Sequence, residues 1–253
     1  MIKFFRKIRQ KLLTESKFSK YLLYAIGEIL LVVIGIMIAL QLNTWNQKRI
    51  ESHQTVELLK NMIIDLKIDV SNLKKDISNY ERYIRYSRTV LNVKDFQLFT
   101  TDSIYNLLPT NSSSTKITNQ TFEKLKNAGI TNTLDSKELF NSITKYYTTE
   151  SSIIDIIILW DWEYSLKTTD FYRLGDDFEA PILNDTIVTR YLDNIATRKN
   201  NLLKLLTTKK SRNYIRYAIS RKLVLLYYFK FNLSLAEELI ELIEKELENA
   251  NAK

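Results

Sequence analysis

Residues 21–42 read YLLYAIGEILLVVIGIMIALQL, and Glu28 is the only charge among them. At about 1.5 Å per residue, a helix of this run measures about 33 Å, enough to cross the roughly 30 Å hydrocarbon core of a bilayer. The run follows a basic tail: residues 1–20 hold Lys3, Arg6, Lys7, Arg9, Lys11, Lys17 and Lys20 against Glu15 alone, a net +6. A buried helix of a globular protein rarely stays free of charge for so long behind such a tail. A cleaved secretory signal has a shorter apolar region, about 7–15 residues, and a small-residue cleavage site. Here Ala39 is followed by Leu40, Gln41 and Leu42. The sequence therefore predicts an uncleaved transmembrane helix over 21–42, in contact with the lipid bilayer.

The charge distribution orients that helix. Seven basic residues precede it, and only Lys48, Arg49 and Lys60 fall within about twenty residues after it. The excess of Lys and Arg on cytoplasmic flanks places residues 1–20 in the cytoplasm and residues 43–253 outside it. Tyr21, Tyr24 and Trp45 stand near the two ends, where amphipathic rings favour the interface. In the tail, Phe5, Ile8 and Leu12 follow helical spacing, with Phe4 alongside and the basic residues opposite. That pattern suits a helix on the anionic inner leaflet, and equally a plain topology signal. The whole chain carries +8, but residues 43–253 carry only +3. Without a concentrated positive surface, nucleic acid is not an expected partner.

Within the span, Glu28 is a carboxylate at a depth where charge is costly, which makes it a functional candidate; a neutral or snorkelled Glu that sets depth is the simpler reading. Gly27, Gly35 and Ala39 share one face, so a homodimer can form by close approach there; ordinary glycine usage in membrane helices explains them as well.

The remainder of the sequence predicts an all-α domain. Val56, Leu59, Ile63, Leu66, Val70, Leu73, Ile77, Tyr80 and Ile84 keep heptad spacing, and no Gly or Pro lies between Gly35 and Pro109. The span is thus expected to continue as one helix to about Val93, with the seam inside a bundle and with Leu58, Ile64 and Ile68 apolar on a second side. Residues 105–118 read as a loop. A short helix from Thr121 stops at Gly129, and Asp135 with Glu138 resembles a capping box opening a helix to about Leu174. A break at 175–181, a helix over 187–206 and a last helix over 212–249 complete the domain.

Composition excludes much chemistry. Four Gly cannot build a phosphate-cradling loop, and with no Cys and one His there is no thiol nucleophile, Cys zinc site or two-His metal site. No catalytic, cofactor or metal residue is assigned, and no cofactor is expected. Asp155, Asp161, Glu163 and Asp170 read as solvent-facing acids on one helix. Asp161 and Glu163 point about 200° apart, unlike a catalytic pair. Asp176, Asp177 and Glu179 supply oxygen ligands without EF-hand spacing. His53 reads as a helix-surface residue. Tyr214, Tyr217, Tyr227, Tyr228, Phe229 and Phe231 read as packing between helices rather than a ligand pocket. Ser103 and Thr186 lie in Asp-Ser/Thr-aliphatic triplets, a pattern for O-glycosylation in some envelope proteins.

The opening stretch, with YAIGEI at 24–29 and IALQLNTWN at 38–46, resembles a family of uncharacterised bacterial membrane proteins common in the Bacteroidetes. A weaker likeness continues through FEKLKNAG at 122–129 and Tyr146-Tyr147. The resemblance implies a bacterial inner-membrane protein and brings no catalytic residues. The expected function is that of a non-enzymatic, membrane-anchored helical module that binds another envelope protein or organises the envelope. A sensory subunit whose outer bundle binds a ligand and acts through a membrane partner is the alternative.

Overall fold

The computed structural model describes residues 18–93, 96–113, 115–129, 136–182 and 190–251. These are helical with no strand among the described residues. In chain order the helices are α1 (Phe18–Asn92), α2 (Thr101–Tyr105), α3 (Gln120–Asn127), α4 (Lys137–Thr144), a π-helical turn (Lys145–Glu150), α5 (Ser151–Arg173), α6 (Ile195–Thr207) and α7 (Lys209–Asn251). The chain divides into two units, Met1–Thr55 and Val56–Lys253.

In the first unit, α1 holds an 18-residue window of mean hydropathy 2.4, none of it buried by protein. Leu30, Leu31, Ile34, Met37 and Leu40 are all exposed, as are the candidate residues Gly27, Glu28, Gly35 and Ala39. This helix is long and apolar enough to cross a membrane, by length and composition. At its end Trp45 is 64% exposed, with the Arg49 guanidinium 5.9 Å from its ring centroid. The basic tail lies outside the described residues.

The second unit is built on α1, α5 and α7. Arg212 Nη2 donates to the Leu91 carbonyl at 3.2 Å, Lys230 Nζ meets Glu81 at 2.8 Å, and Lys74 Nζ meets Glu237 at 2.8 Å, so α7 runs antiparallel to α1. Tyr172 Oη bonds Ser211 Oγ at 2.8 Å, and Arg221 bonds Asp161, so α5 is antiparallel to α7 too. One core gathers Leu59, Leu66, Leu73, Phe122, Ile143, Phe229 and Ile243; a second gathers Val90, Ile104, Leu108, Tyr172, Leu202 and Ile215.

Local chemistry accounts for the element ends. Gly129, at φ 66°, takes the left-handed position that closes α3. α4 is capped by Ser136, whose Oγ accepts the Leu139 N–H at 3.1 Å; Asp135, the expected cap, lies outside the described residues. Where one unbroken α-helix was expected to Leu174, the π turn intervenes. A π turn changes which side chains face inward, and here it delivers Tyr146, Tyr147 and Glu150 to the core. α2 falls just before the expected loop and rests on Thr100, whose Oγ1 accepts the Ser103 N–H at 3.1 Å. The helix expected over 187–206 starts only at Ile195: residues 190–194 are not helical, and the Asn194 side chain caps the Thr197 N–H at 2.9 Å.

The seam of α1 faces its own chain, as the bundle reading requires, but its centre is displaced. Leu59, Leu66, Leu73 and Tyr80 are buried; between them the buried residues are Met62, Asp69 and Asp76, while Ile63, Val70 and Ile77 are half-buried. Ile64 and Ile68, expected on a second buried side, are 57% and 46% exposed.

Candidate functional site: a buried charged centre and a polar strap

Asp161 of α5 corrects the sequence expectation. It is buried, not solvent-facing, because it lies on the inner face of α5 with Ile154, Ser165, Thr168 and Tyr172. Its Oδ1 accepts from Arg221 Nε at 3.0 Å, and its Oδ2 accepts from Tyr80 Oη at 3.2 Å and lies 3.4 Å from Lys222 Nζ. All three charged side chains are sealed from solvent. Isolated charges at such depth would be too costly to bury, so they are kept as a set. Rings add to the set: the Arg221 guanidinium is 4.9 Å from the Tyr217 ring centroid, and Lys222 Nζ is 5.0 Å from that of Tyr80. Burial pushes the Lys222 amine down, with Asp161 opposing the shift. Burial and the Asp161 charge together push the Tyr80 phenol up, which keeps it a donor.

A polar strap, residues 110–113 and 115–121, crosses this region, with no helix or strand among its described residues until α3 begins. Lys222 Nζ donates to the Asn111 carbonyl at 2.5 Å, and Thr169 Oγ1 to the Thr110 carbonyl at 3.3 Å. The Ser113 N–H donates to Tyr80 Oη at 2.8 Å. Asp76 accepts from Ser113 Oγ at 2.5 Å and from Thr115 Oγ1. Asp69 accepts the Thr118 N–H at 2.9 Å and Tyr146 Oη at 3.1 Å; Asp65 accepts the Thr121 N–H at 3.1 Å. The segment buries one apolar side chain, Ile117, and is otherwise mostly Asn, Ser and Thr, so several of its backbone and hydroxyl donors are satisfied by carboxylates from α1. Asp69 has only neutral partners, and burial pushes its carboxyl up.

The remaining candidates are dispersed. Asp155, Glu163 and Asp170 face solvent as expected, Glu163 paired with Lys167 at 2.7 Å. Asp176 and Asp177 are exposed, and Glu179 is engaged, its carboxylate accepting the Leu192 N–H at 2.9 Å and its carbonyl Arg198 Nε at 3.0 Å. No cluster able to hold a metal occurs among the described residues. His53 is exposed on α1, Ser103 is exposed on α2, and Thr186 lies outside the described residues. A groove of about 430 Å³ beside Arg85, Arg88, Thr89, Asn92 and Val93 is lined by α1 and the residue after it. Of the α7 aromatics, Phe229 is fully buried, Tyr214 stacks on Phe171 at 4.7 Å, and Tyr227 is 65% exposed.

Sequence reading missed the charged centre because Arg221 and Lys222 stand alone in their helix pattern. The available signal was position: Asp161 lies seven residues after Ile154, on the inward stripe. The outer face of α5 is the opposite surprise. Ile156, Leu159, Trp162 and Leu166 are exposed at 67%, 62%, 48% and 43%. The charged centre holds α5 against α7 by its inner face and leaves this apolar face outward. No protein-family model matches the chain, and no curated protein or solved structure matches it.

Proposed function

We propose that the chain is a membrane-anchored helical module of the bacterial envelope that binds another protein, with no catalytic activity of its own. Residues 21–42 span the inner membrane, residues 1–20 lie on the cytoplasmic side against the anionic leaflet, and residues 43–253 lie outside it. The length and exposure of the apolar part of α1, the basic tail and the resemblance of the opening stretch support this placement.

The observation that carries the binding role is the outer face of α5. Four large apolar side chains form a contiguous exposed stripe on a helix whose inner face is locked by buried charges. Patches of this kind mark interaction surfaces. Asp155, Glu163 and Asp170, exposed at spacings of eight and seven residues, fall on the same arc of α5 as these apolar side chains. A helix of another envelope protein, with an apolar face and basic residues at matching spacing, complements it in shape and charge; a parallel second copy would set Glu163 and Asp170 against themselves.

A photo-crosslinking amino acid at Leu159, in the full chain in membranes, tests this. The expected result is an adduct to a segment of a different protein that is helical and basic, abolished by Ile156→Glu. Adducts only between copies of this chain, or none, would overturn the reading.

A further inference from the structure

We infer that α1 has two rotational settings within the outer unit, and that the strap over 110–121 holds it in the less apolar one. The inference does not depend on what binds α5. In the observed setting the buried stripe of α1 is Leu59, Met62, Leu66, Asp69, Leu73, Asp76 and Tyr80. The same helix carries a second stripe at the same spacing, in which Ile63, Val70 and Ile77 replace Met62, Asp69 and Asp76. Leu59, Leu66, Leu73 and Tyr80 belong to both. Adjacent residues differ by about 100°, so exchanging one alternate set for the other while keeping the shared set moves the stripe centre by about 50°.

The second stripe is apolar except for the Tyr80 hydroxyl, which both share; the first contains two carboxylates as well. Ile63, Val70 and Ile77 already pack against the edge of the core, so the exchange completes a burial that is half made. In the observed setting the strap offsets these carboxylates through Ser113 and Thr115 on Asp76 and Thr118 on Asp69, where Tyr146 of the π turn also donates, and Thr121 ties the strap to the neighbouring Asp65. These bonds are lost together if α1 turns. Ser113 and Thr115 are half-buried, within reach of a competitor for the Asp76 carboxylate. The strap is therefore a catch: an event that lifts it leaves α1 with carboxylates in its seam and an apolar alternative beside them. Buried polar groups fix one register against others of similar energy, and interfaces of this kind are bistable rather than continuously deformable.

The chain has no cysteine, so single thiols report on rotation cleanly. Met62→Cys and Ile63→Cys are made separately in the full-length protein in lipid nanodiscs, with and without the catch-release pair Ser113→Ala and Thr115→Ala. Rotation predicts opposite changes: maleimide labelling at position 62 rises about tenfold and labelling at position 63 falls by a similar factor. Adding Val70→Ser and Ile77→Ser spoils the second stripe and should return both rates to their starting values. Labelling that rises at both positions, as in fraying or unfolding, or that changes at neither, would overturn the inference. Thr115→Ala alone repeats the comparison at lower cost if the pair does not fold.

Discussion

The two halves of α1 handle polarity in opposite ways. From Ala25 to Gln54 the helix is apolar along most of its length, yet no residue of it is buried. From Thr55 to Val90 it is studded with charge, yet it buries Asp69 and Asp76 alongside Leu66 and Leu73. Hydrophobicity alone therefore does not locate the core. The first half is uniform around its axis and suits a lipid solvent; the second is periodic and suits protein neighbours on one side only. At Asp69 and Asp76, where the second half departs from an apolar period, specific partners compensate.

The largest effect that sharpens this contrast comes from removing compensation altogether. Asp161→Ala leaves Arg221 and Lys222 buried without their carboxylate, and breaking such a set costs about 3–5 kcal/mol. Denaturant unfolding of the full chain in detergent should show it as a lower midpoint; an unchanged midpoint would mean the centre is hydrated.

Next comes apolar truncation in each half. Leu66 is fully buried, so Leu66→Ala should cost the outer unit about 2–5 kcal/mol through lost burial and the cavity left behind. Leu31, at 71% exposure, belongs to neither core, and Leu31→Ala should leave the second unit's unfolding midpoint in place. Equal effects from the two would break the distinction.

The smallest effect concerns Asp69. Burial raises its folded-state pKa above the ordinary 3.8. The folded state then holds this proton more tightly than the unfolded state. The stabilisation is complete below pH 3.8 and is lost as pH rises through the raised value, leaving a buried charge with only neutral donors above it. Asp69→Asn should therefore flatten this part of the stability–pH curve and cost little near pH 7. A pronounced loss at pH 7, with the pH slope unchanged, would show that the carboxylate is needed ionised.

Much of the architecture was legible in the chain. The helix running through the span to Asn92 follows from the absence of Gly and Pro between Gly35 and Pro109, and Gly129 marks the end of α3 through its left-handed φ. The site was less legible, because it depends on tertiary pairing. Periodicity assigned the seam to Ile63, Val70 and Ile77, since a pattern weighs side chains by polarity and cannot see a strap of Ser and Thr arriving from 37 to 49 residues away. Asp161 was misplaced for the same reason: its partners Arg221 and Lys222 lie on another helix. The π turn carried no recognisable signal, and the capping of α4 by Ser136 rather than its neighbour is a choice between two competent residues.

The central claim is that α1 crosses a membrane and places the helical unit outside the cytoplasm. Because the chain lacks cysteine, Lys7→Cys in the tail and Glu244→Cys on α7 provide two single reporters. In spheroplasts treated with a membrane-impermeant maleimide, the account predicts labelling at position 244 at once and at position 7 only after lysis. Labelling at position 7 in intact spheroplasts with protection at position 244, or labelling at both, would contradict it.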